Sequence, residues 1–197
     1  MSPLRRHIQI VFQDPYRSLN PRRTVGDSIV EGPMNYRVSH ADAWGRARKL
    51  MELVRLDPGS LERFPHEFSG GQRQRICIAR ALAKEPDLLI ADEAVSALDV
   101  SVQAQVLALL DEIRTRLNLA MLFITHDLRV AAQVCDRIAV MSRGRVVESG
   151  RAVDVFADPQ HEYTKALFAA APGRNWNFGG GAASYAPAPE ASGATQI

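Results

Sequence analysis

Two short, continuous apolar runs do most to constrain how this chain folds. Residues 88–91 (Leu-Leu-Ile-Ala) and 120–124 (Ala-Met-Leu-Phe-Ile) lack the alternation expected of a strand with one solvated face. Such runs are typical of strands that are covered on both faces in a parallel sheet. Apolar residues between the two runs recur at helical spacing and predict an amphipathic crossover helix: Val106, Leu110, Ile113 and Leu117. The order strand, helix, strand predicts an α/β fold with a parallel sheet.

Polar side chains follow the predicted strands where each strand ends. Asp92 and Glu93 come directly after the first run, and His126 lies two residues beyond the second. Gln13 ends a third, β-prone run at residues 7–12, just before an Asp-Pro pair. In open α/β sheets, ligands bind at the edge formed by the carboxyl ends of the strands. Each residue alone has a purely structural alternative, because acidic residues often cap helices and a histidine at a strand end is commonly structural.

A Ser-Gly-Gly-Gln segment at residues 69–72 precedes a helical pattern that ends before Pro86. The segment could be only a flexible loop and a helix cap. Alternatively, its glycines allow a phosphate to approach the backbone, and the positive end of the helix favours negative charge. The sequence therefore indicates a candidate anion site here.

Other patterns complete the predicted organisation. A second helix is expected from about Ser39 to Leu56, with Ser39 and Asp42 at capping-box spacing. Two β-prone segments flank residues 142–144 and predict a hairpin. From residue 172 to the end, the composition shifts to Gly, Ala, Ser and Pro, so we expect a disordered tail or a linker.

Composition excludes several classes of function. The chain has 24 basic and 22 acidic residues, a formal charge of +2 and no block of like charge, so nothing indicates a nucleic-acid partner. Its two cysteines are far apart and lack the spacing of a metal site. No apolar run approaches the roughly 20 residues that span a bilayer, and any membrane role is expected to come through a partner.

Taken together, the motifs resemble those of ABC-type ATPases in order and spacing, from Ile8 to about Gly150. By this resemblance, the motif residues take the following places: Gln13 in the Q-loop, Ser69, Gly70, Gly71 and Gln72 in the signature, Asp92 and Glu93 in Walker B, Asp99 in the D-loop, and His126 as the switch histidine. One departure is Ala94-Val95, where many members of the family have Pro-Thr.

The resemblance implies a fold, cofactors and residue roles. Residues 1–150 would form a partial ABC ATPase domain of the P-loop NTPase type, with a helical signature subdomain at about 24–84. The cofactors would be ATP and Mg²⁺, with Asp92 and Gln13 at the metal, and with Glu93, His126 and Gln13 acting in catalysis. The signature residues and Asp99 would contact nucleotide.

Segments at residues 11–22, 64–68 and 99–105 resemble the oligopeptide and dipeptide importer branch of that family. Residues 151–171 resemble the start of that branch's C-terminal extension, although Glu162 stands where its motif has proline. The branch implies a subunit that energises a peptide importer and pairs with a second ABC ATPase domain and with transmembrane permease subunits. Its expected location is cytoplasmic, peripheral on the inner face of the cell membrane.

The P-loop string Gly-x-x-x-x-Gly-Lys-Ser/Thr does not occur in the 197 residues. In the family it lies upstream of the Q-loop, so we expect an N-terminally truncated chain that lacks the first strands, leaves apolar surface uncovered and has negligible ATPase activity alone. The alternative is a non-hydrolytic remnant or regulatory module that supplies only the signature half of a composite ATP site. A DNA-repair type of ABC ATPase is disfavoured, because only residues 14–68 separate the Q-loop from the signature, too few for coiled-coil arms.

Overall fold

The computed structural model describes residues 4–171 of the chain. In this part, the helices are α1 (Leu4–His7), α2 (Pro15–Ser18), α3 (Val25–Met34), α4 (His40–Leu53), α5 (Gly70–Leu82), α6 (Val100–Leu117), α7 (Leu128–Val134), α8 (Ala152–Ala157) and α9 (Glu162–Ala170). The strands are β1 (Ile8–Val11), β2 (Leu88–Asp92), β3 (Ala120–Ile124), β4 (Arg137–Ser142) and β5 (Arg145–Arg151). Short 3₁₀ turns lie at Pro58–Glu62 and Pro65–Glu67. The predicted tail at 172–197 lies outside the described residues.

The first three strands form the parallel sheet that the apolar runs predict. Their order is β1-β2-β3, so β2 is central, and Ile10, Ile90 and Leu122 lie side by side across the sheet. Helix α6 makes the crossover between β2 and β3. The carboxyl ends of all three strands therefore meet at one edge, where the polar residues after each strand are brought together.

The expectation that β2 and β3 are covered on both faces is wrong for the described residues, and β1 shares the open face. Leu89 and Ala91 are fully buried on one face, whereas Ile10, Leu122 and Ile124 on the other are 41%, 50% and 45% exposed. A continuous apolar run indicates that both faces of a strand are suited to burial. The layer that covers each face has to come from elsewhere in the chain or from a partner. The prediction of uncovered apolar surface is confirmed on this face.

Helices α3, α4 and α5 pack on one another between residues 24 and 84. Each begins at a side-chain cap: Thr24 accepts from the Asp27 amide, Ser39 from the Asp42 amide and Ser69 from the Gln72 amide. Their contact surface is fully buried and includes Ile29, Met51, Ile76 and Ile78. The predicted helices after residues 39 and 69 are confirmed, and their caps and apolar stripes explain both.

Helix α6 begins at Asp99, whose carboxylate accepts a hydrogen bond from the Val102 amide at 2.9 Å. It ends at Asn118, a residue that tolerates the left-handed conformation it adopts here (φ 48°, ψ 46°). Three of the four predicted core positions are buried, but Leu117, in the last turn, is 48% exposed. At about 100° per residue, Leu117 lies on the same face as the three buried positions, so its exposure comes from its place at the end of the helix.

The chain divides into two compact units, one up to His126 and one from Asp127 onward. The second unit contains the predicted hairpin, β4 paired antiparallel with β5, with Arg143 and Gly144 at positive φ in its turn. Its apolar core includes Ala132, Val155 and a stacked pair of rings, Phe156 and Phe168, whose centroids are 4.7 Å apart. Residues 151–171 thus form α8 and α9 of this unit, and the domain boundary at residue 150 stays a prediction.

Candidate functional site

The end of β2 places Glu93 in an unusual backbone conformation. Its φ is +46°, a left-handed value that is unfavourable for a non-glycine residue. Three hydrogen bonds hold this turn: the Glu93 amide donates to the Ile124 carbonyl at 2.9 Å, and the Glu93 carbonyl accepts from both the amide and the hydroxyl of Ser96 at 3.0 Å. Such conformations persist where the surrounding structure fixes them, and they concentrate at functional sites.

The Glu93 carboxylate contacts the switch-position histidine predicted from the sequence. Its Oε1 lies 3.2 Å from Nδ1 of His126, with the glutamate side chain 32% exposed and the imidazole 71% exposed. An ionised carboxylate only accepts hydrogen bonds, so the contact assigns the proton to Nδ1 and leaves Nε2 for another partner. A carboxylate and an imidazole in contact beside open solvent form a pair that can orient and polarise a water molecule.

Gln13 is linked to the Glu93 turn through Ser96, a residue that was not predicted from the sequence. Its side-chain amide donates to the Ser96 hydroxyl at 3.0 Å, and that hydroxyl donates in turn to the Glu93 carbonyl. The hydrogen bonds run in one direction, an arrangement in which each bond polarises the next. The available signal for this role was the position of the Ser96 hydroxyl, three residues after Glu93 in the chain.

The residues at this edge fit a magnesium ion that arrives with phosphate. Within residues 4–171, no group of three or more His, Cys, Asp or Glu side chains is arranged to hold a metal ion. Mg²⁺ commonly takes only one or two protein carboxylates and completes its octahedral shell with water and substrate phosphate. Asp92, half-buried at the end of β2, and the side-chain oxygen of Gln13 are donors of this kind.

The signature segment forms the N-terminus of α5. Ser69 and Gln72 make a capping box, in which the Ser69 hydroxyl accepts from the Gln72 amide at 3.3 Å and the Gln72 side chain accepts from the Ser69 amide at 2.9 Å. The Ser69 hydroxyl keeps its own proton for an external acceptor. Thus Ser69 and Gln72 hold the helix end in shape, and Gly70 presents a backbone without a side chain.

Gly71 and Asp99 bring the beginnings of α5 and α6 together. A Cβ built on Gly71 would lie only 2.4 Å from Cγ1 of Val102. Gly71 is therefore required for close helix packing in the folded chain, whatever its part in ligand binding. Asp99 caps α6 from the same region, and its carboxylate is engaged by the Val102 amide.

The structure thus sorts the predicted site residues into two groups. In the first group, Glu93 is linked to Gln13 through Ser96 and contacts His126 directly. Asp92 precedes Glu93 in the chain. The other group comprises the signature residues and Asp99, and each of these serves a helix terminus. Within residues 4–171, no hydrogen bond or ion pair joins the two groups directly.

Between residues 4 and 171, no helix has both the length and the apolar character required to cross a membrane.

The chain is similar in sequence to known proteins. The model of the ABC transporter family matches residues 1–96. A peptide import ATP-binding protein of Brucella ovis is 53% identical over 169 residues, which is 85% of this chain and 53% of the relative. The glutathione import ATP-binding protein GsiA of Pectobacterium atrosepticum is also 53% identical, over 86% of this chain and 27% of the relative.

A solved structure shares the fold. CbiO1 of Clostridium perfringens, described as part of the ABC transporter complex CbiONQ, superposes with a TM-score of 0.71 at 30% identity. The superposition covers 78% of this chain and 61% of CbiO1. The chain spans about half the length of the peptide import relatives. In sequence and in fold, the chain is therefore similar to ATP-binding proteins of the ABC transporter family, and among them to peptide and glutathione import members.

Proposed function

We propose that this chain is part of an ATP-hydrolysing subunit that energises an ABC importer for peptides. The observation that carries the proposal is the Glu93 carboxylate, held by a left-handed backbone turn against His126 at the ligand edge of the sheet. The names of the relatives, which are peptide and glutathione import proteins, support the substrate class.

The residues at the carboxyl edge of the sheet have different roles in phosphoryl transfer. Bound Mg²⁺ would neutralise charge on the transferred phosphate, with Asp92 and Gln13 as its protein donors. Glu93 orients and polarises the attacking water, and His126, held through Nδ1, keeps Nε2 for a phosphate oxygen. The signature residues and Asp99 supply contacts to a nucleotide that a second ABC ATPase domain holds.

The proposed membrane partner is a permease subunit that docks beside the Q-loop. The loop after Gln13 lines an open groove of about 560 Å³, with Tyr16 64% exposed at its rim. Arg17, Arg23 and Arg80 line the groove together with Glu31. Docking here would place the chain on the cytoplasmic face of the membrane and connect the partner to Gln13 through a short loop.

ATP turnover tests what the 197 residues can do alone. Positioning and electrostatics supply nearly all of phosphoryl-transfer catalysis, and the 197 residues contain no P-loop string to position the γ-phosphate. We therefore expect purified chain of residues 1–197 to release phosphate from Mg-ATP no faster than its Glu93→Gln variant. A turnover that depends on Glu93 would contradict this expectation. Equal rates are expected for a part of a hydrolysing subunit and also for the second function, a module that supplies only the signature half of a composite site.

Association with an intact partner tests the signature half directly. The chain is mixed with a full-length relative, such as the Brucella ovis protein, and complex formation is measured by light scattering with and without Mg-ATP. We expect Mg-ATP to strengthen association. The Gly70→Asp variant should abolish this effect of Mg-ATP, because the introduced aspartate places a negative charge beside the phosphate. Gly45→Asp is the matched control, since a Cβ at Gly45 meets nothing within 4 Å. Nucleotide-independent association, or equal effects of both variants, would refute the composite site.

A further inference from the structure

Two neighbouring side chains of α5 reach the loop that carries Gln13. Arg73 and Gln74 are 6% and 1% exposed. The Arg73 guanidinium carbon lies 3.6 Å from the centroid of the Tyr16 ring, and its Nη2 donates to the Tyr16 hydroxyl. The Gln74 side-chain amide donates to the Phe12 carbonyl at 3.4 Å. The two side chains therefore hold the loop on both sides of Gln13.

Stability alone gives a poor account of this buried polar pair. Within residues 4–171, Nε of Arg73 and Oε1 of Gln74 have no hydrogen-bond partner. A buried polar atom without a partner is unfavourable, and apolar side chains of similar volume would fill the space without that cost. What the polar pair provides is direction, because a guanidinium over a ring and an amide on a carbonyl each fix the partner's position.

We propose that Arg73 and Gln74 are positioning residues for Gln13. They fix the loop flanks so that the Gln13 amide lies on Ser96, beside the Glu93 turn. Helix α5 begins at the signature glycines, so the same rigid element that meets the partner's nucleotide also sets the position of Gln13. We call the contacts of Arg73 with Tyr16 and of Gln74 with Phe12 the clamp. The proposal rests on the proposed function only for what Gln13 does at the nucleotide, because the clamp is present in the chain without ligand.

Hydrogen exchange of the backbone amides of residues 12–18, followed by mass spectrometry on the 197-residue chain, tests the clamp. Tyr16→Leu removes the stacking face at an exposed position, so the variant should remain folded. We expect exchange in this segment to rise roughly five- to thirty-fold, which corresponds to the loss of one cation–π contact. Tyr16→Phe keeps the ring and should restore most of the protection.

Variants on α5 separate positioning from general packing. Gln74→Leu should raise exchange at residues 12–18 but leave α3 and α4 protected. Arg75→Gln is the matched control, because Arg75 lies on the same helix and contacts Gln105 at 2.9 Å instead of the loop. This control should leave exchange at residues 12–18 unchanged.

Three results would overturn the clamp: no change in Tyr16→Leu and Gln74→Leu, a loop effect in Arg75→Gln equal to theirs, or no rescue by Tyr16→Phe. No nucleotide is present in these measurements. Failure of the clamp is therefore distinguishable from failure of the proposed function, which the Mg-ATP experiments decide.

Discussion

Replacing Gly71 by alanine should destabilise the chain, whereas the same change at neighbouring Gly70 should not. The added Cβ at Gly71 would lie 2.4 Å from Cγ1 of Val102, far inside contact distance, while at Gly70 the nearest atom is a Leu98 methyl carbon at 3.9 Å. Val102 lies in the first turn of α6, and a helical valine has one strongly preferred rotamer, so its methyl group cannot easily swing aside.

The magnitude follows from two opposing effects. Overpacking of this kind costs roughly 1–3 kcal/mol. Glycine to alanine gains at most about 1 kcal/mol of helix propensity, and less in the first turn. We therefore expect Gly71→Ala to lower the free energy of unfolding by about 1–2 kcal/mol, a fall of roughly 2–8 °C in Tm. Gly70→Ala should remain within about 0.5 kcal/mol of the parent chain.

A double-mutant cycle by urea denaturation checks the cause. In Val102→Ala the clashing methyl is gone, and the remaining Cβ would lie 3.7 Å from the new alanine, an ordinary contact. The penalty of Gly71→Ala should then largely disappear, which gives a coupling of about 1–2 kcal/mol. The reasoning is refuted if Gly71→Ala is as stable as the parent, if its penalty persists beside Val102→Ala, or if Gly70→Ala is equally damaging.

Three further predictions concern other parts of the chain. Burial raises the pKa of the Cys77 thiol to about 11. At pH 8, this thiol should therefore react with a disulfide reagent far more slowly in the folded chain than in urea. Similar rates in both conditions would contradict its burial. Hydrogen bonds from the Gln160 and His161 amides lower the pKa of the Glu148 carboxyl below its ordinary 4.5. This contribution to stability is present above about pH 4.5 and is lost as the pH falls through the folded pKa. The protection factors of the α9 amides, which correct for the slower intrinsic exchange at low pH, should therefore fall on acidification in the parent but change less in Glu148→Ala. The open sheet face should bind the dye ANS, and Leu122→Thr should reduce the fluorescence while the half-exposed Tyr163→Thr does not; equal signals would place the dye elsewhere.

Local patterns were enough to predict most secondary structure. The apolar runs predicted β2 and β3, and capping residues such as Ser39 and Ser69 predicted where helices begin, because hydrogen bonds to the first helical amides are made within a few residues. The Arg143-Gly144 turn was predictable for the same reason, since both residues adopt the positive φ that a tight hairpin requires.

Covering of the sheet could not be predicted from those runs. Ile10 and Leu122 have the character of buried strand residues, yet they lie on an open face in the described residues. A sequence run specifies what a strand can bury, and only the tertiary arrangement specifies what is placed against it.

The sequence by itself determined the resemblance to a family, the parallel sheet and the choice of candidate catalytic residues, because order and spacing along the chain encode them. Only the tertiary structure decided which of those residues are joined by hydrogen bonds. Gln13 reaches the Glu93 turn through Ser96, and Arg73 reaches Tyr16 from a helix that begins more than fifty residues later in the chain. Contacts between residues so far apart in sequence depend on how helices and strands pack, which no local pattern of side chains records.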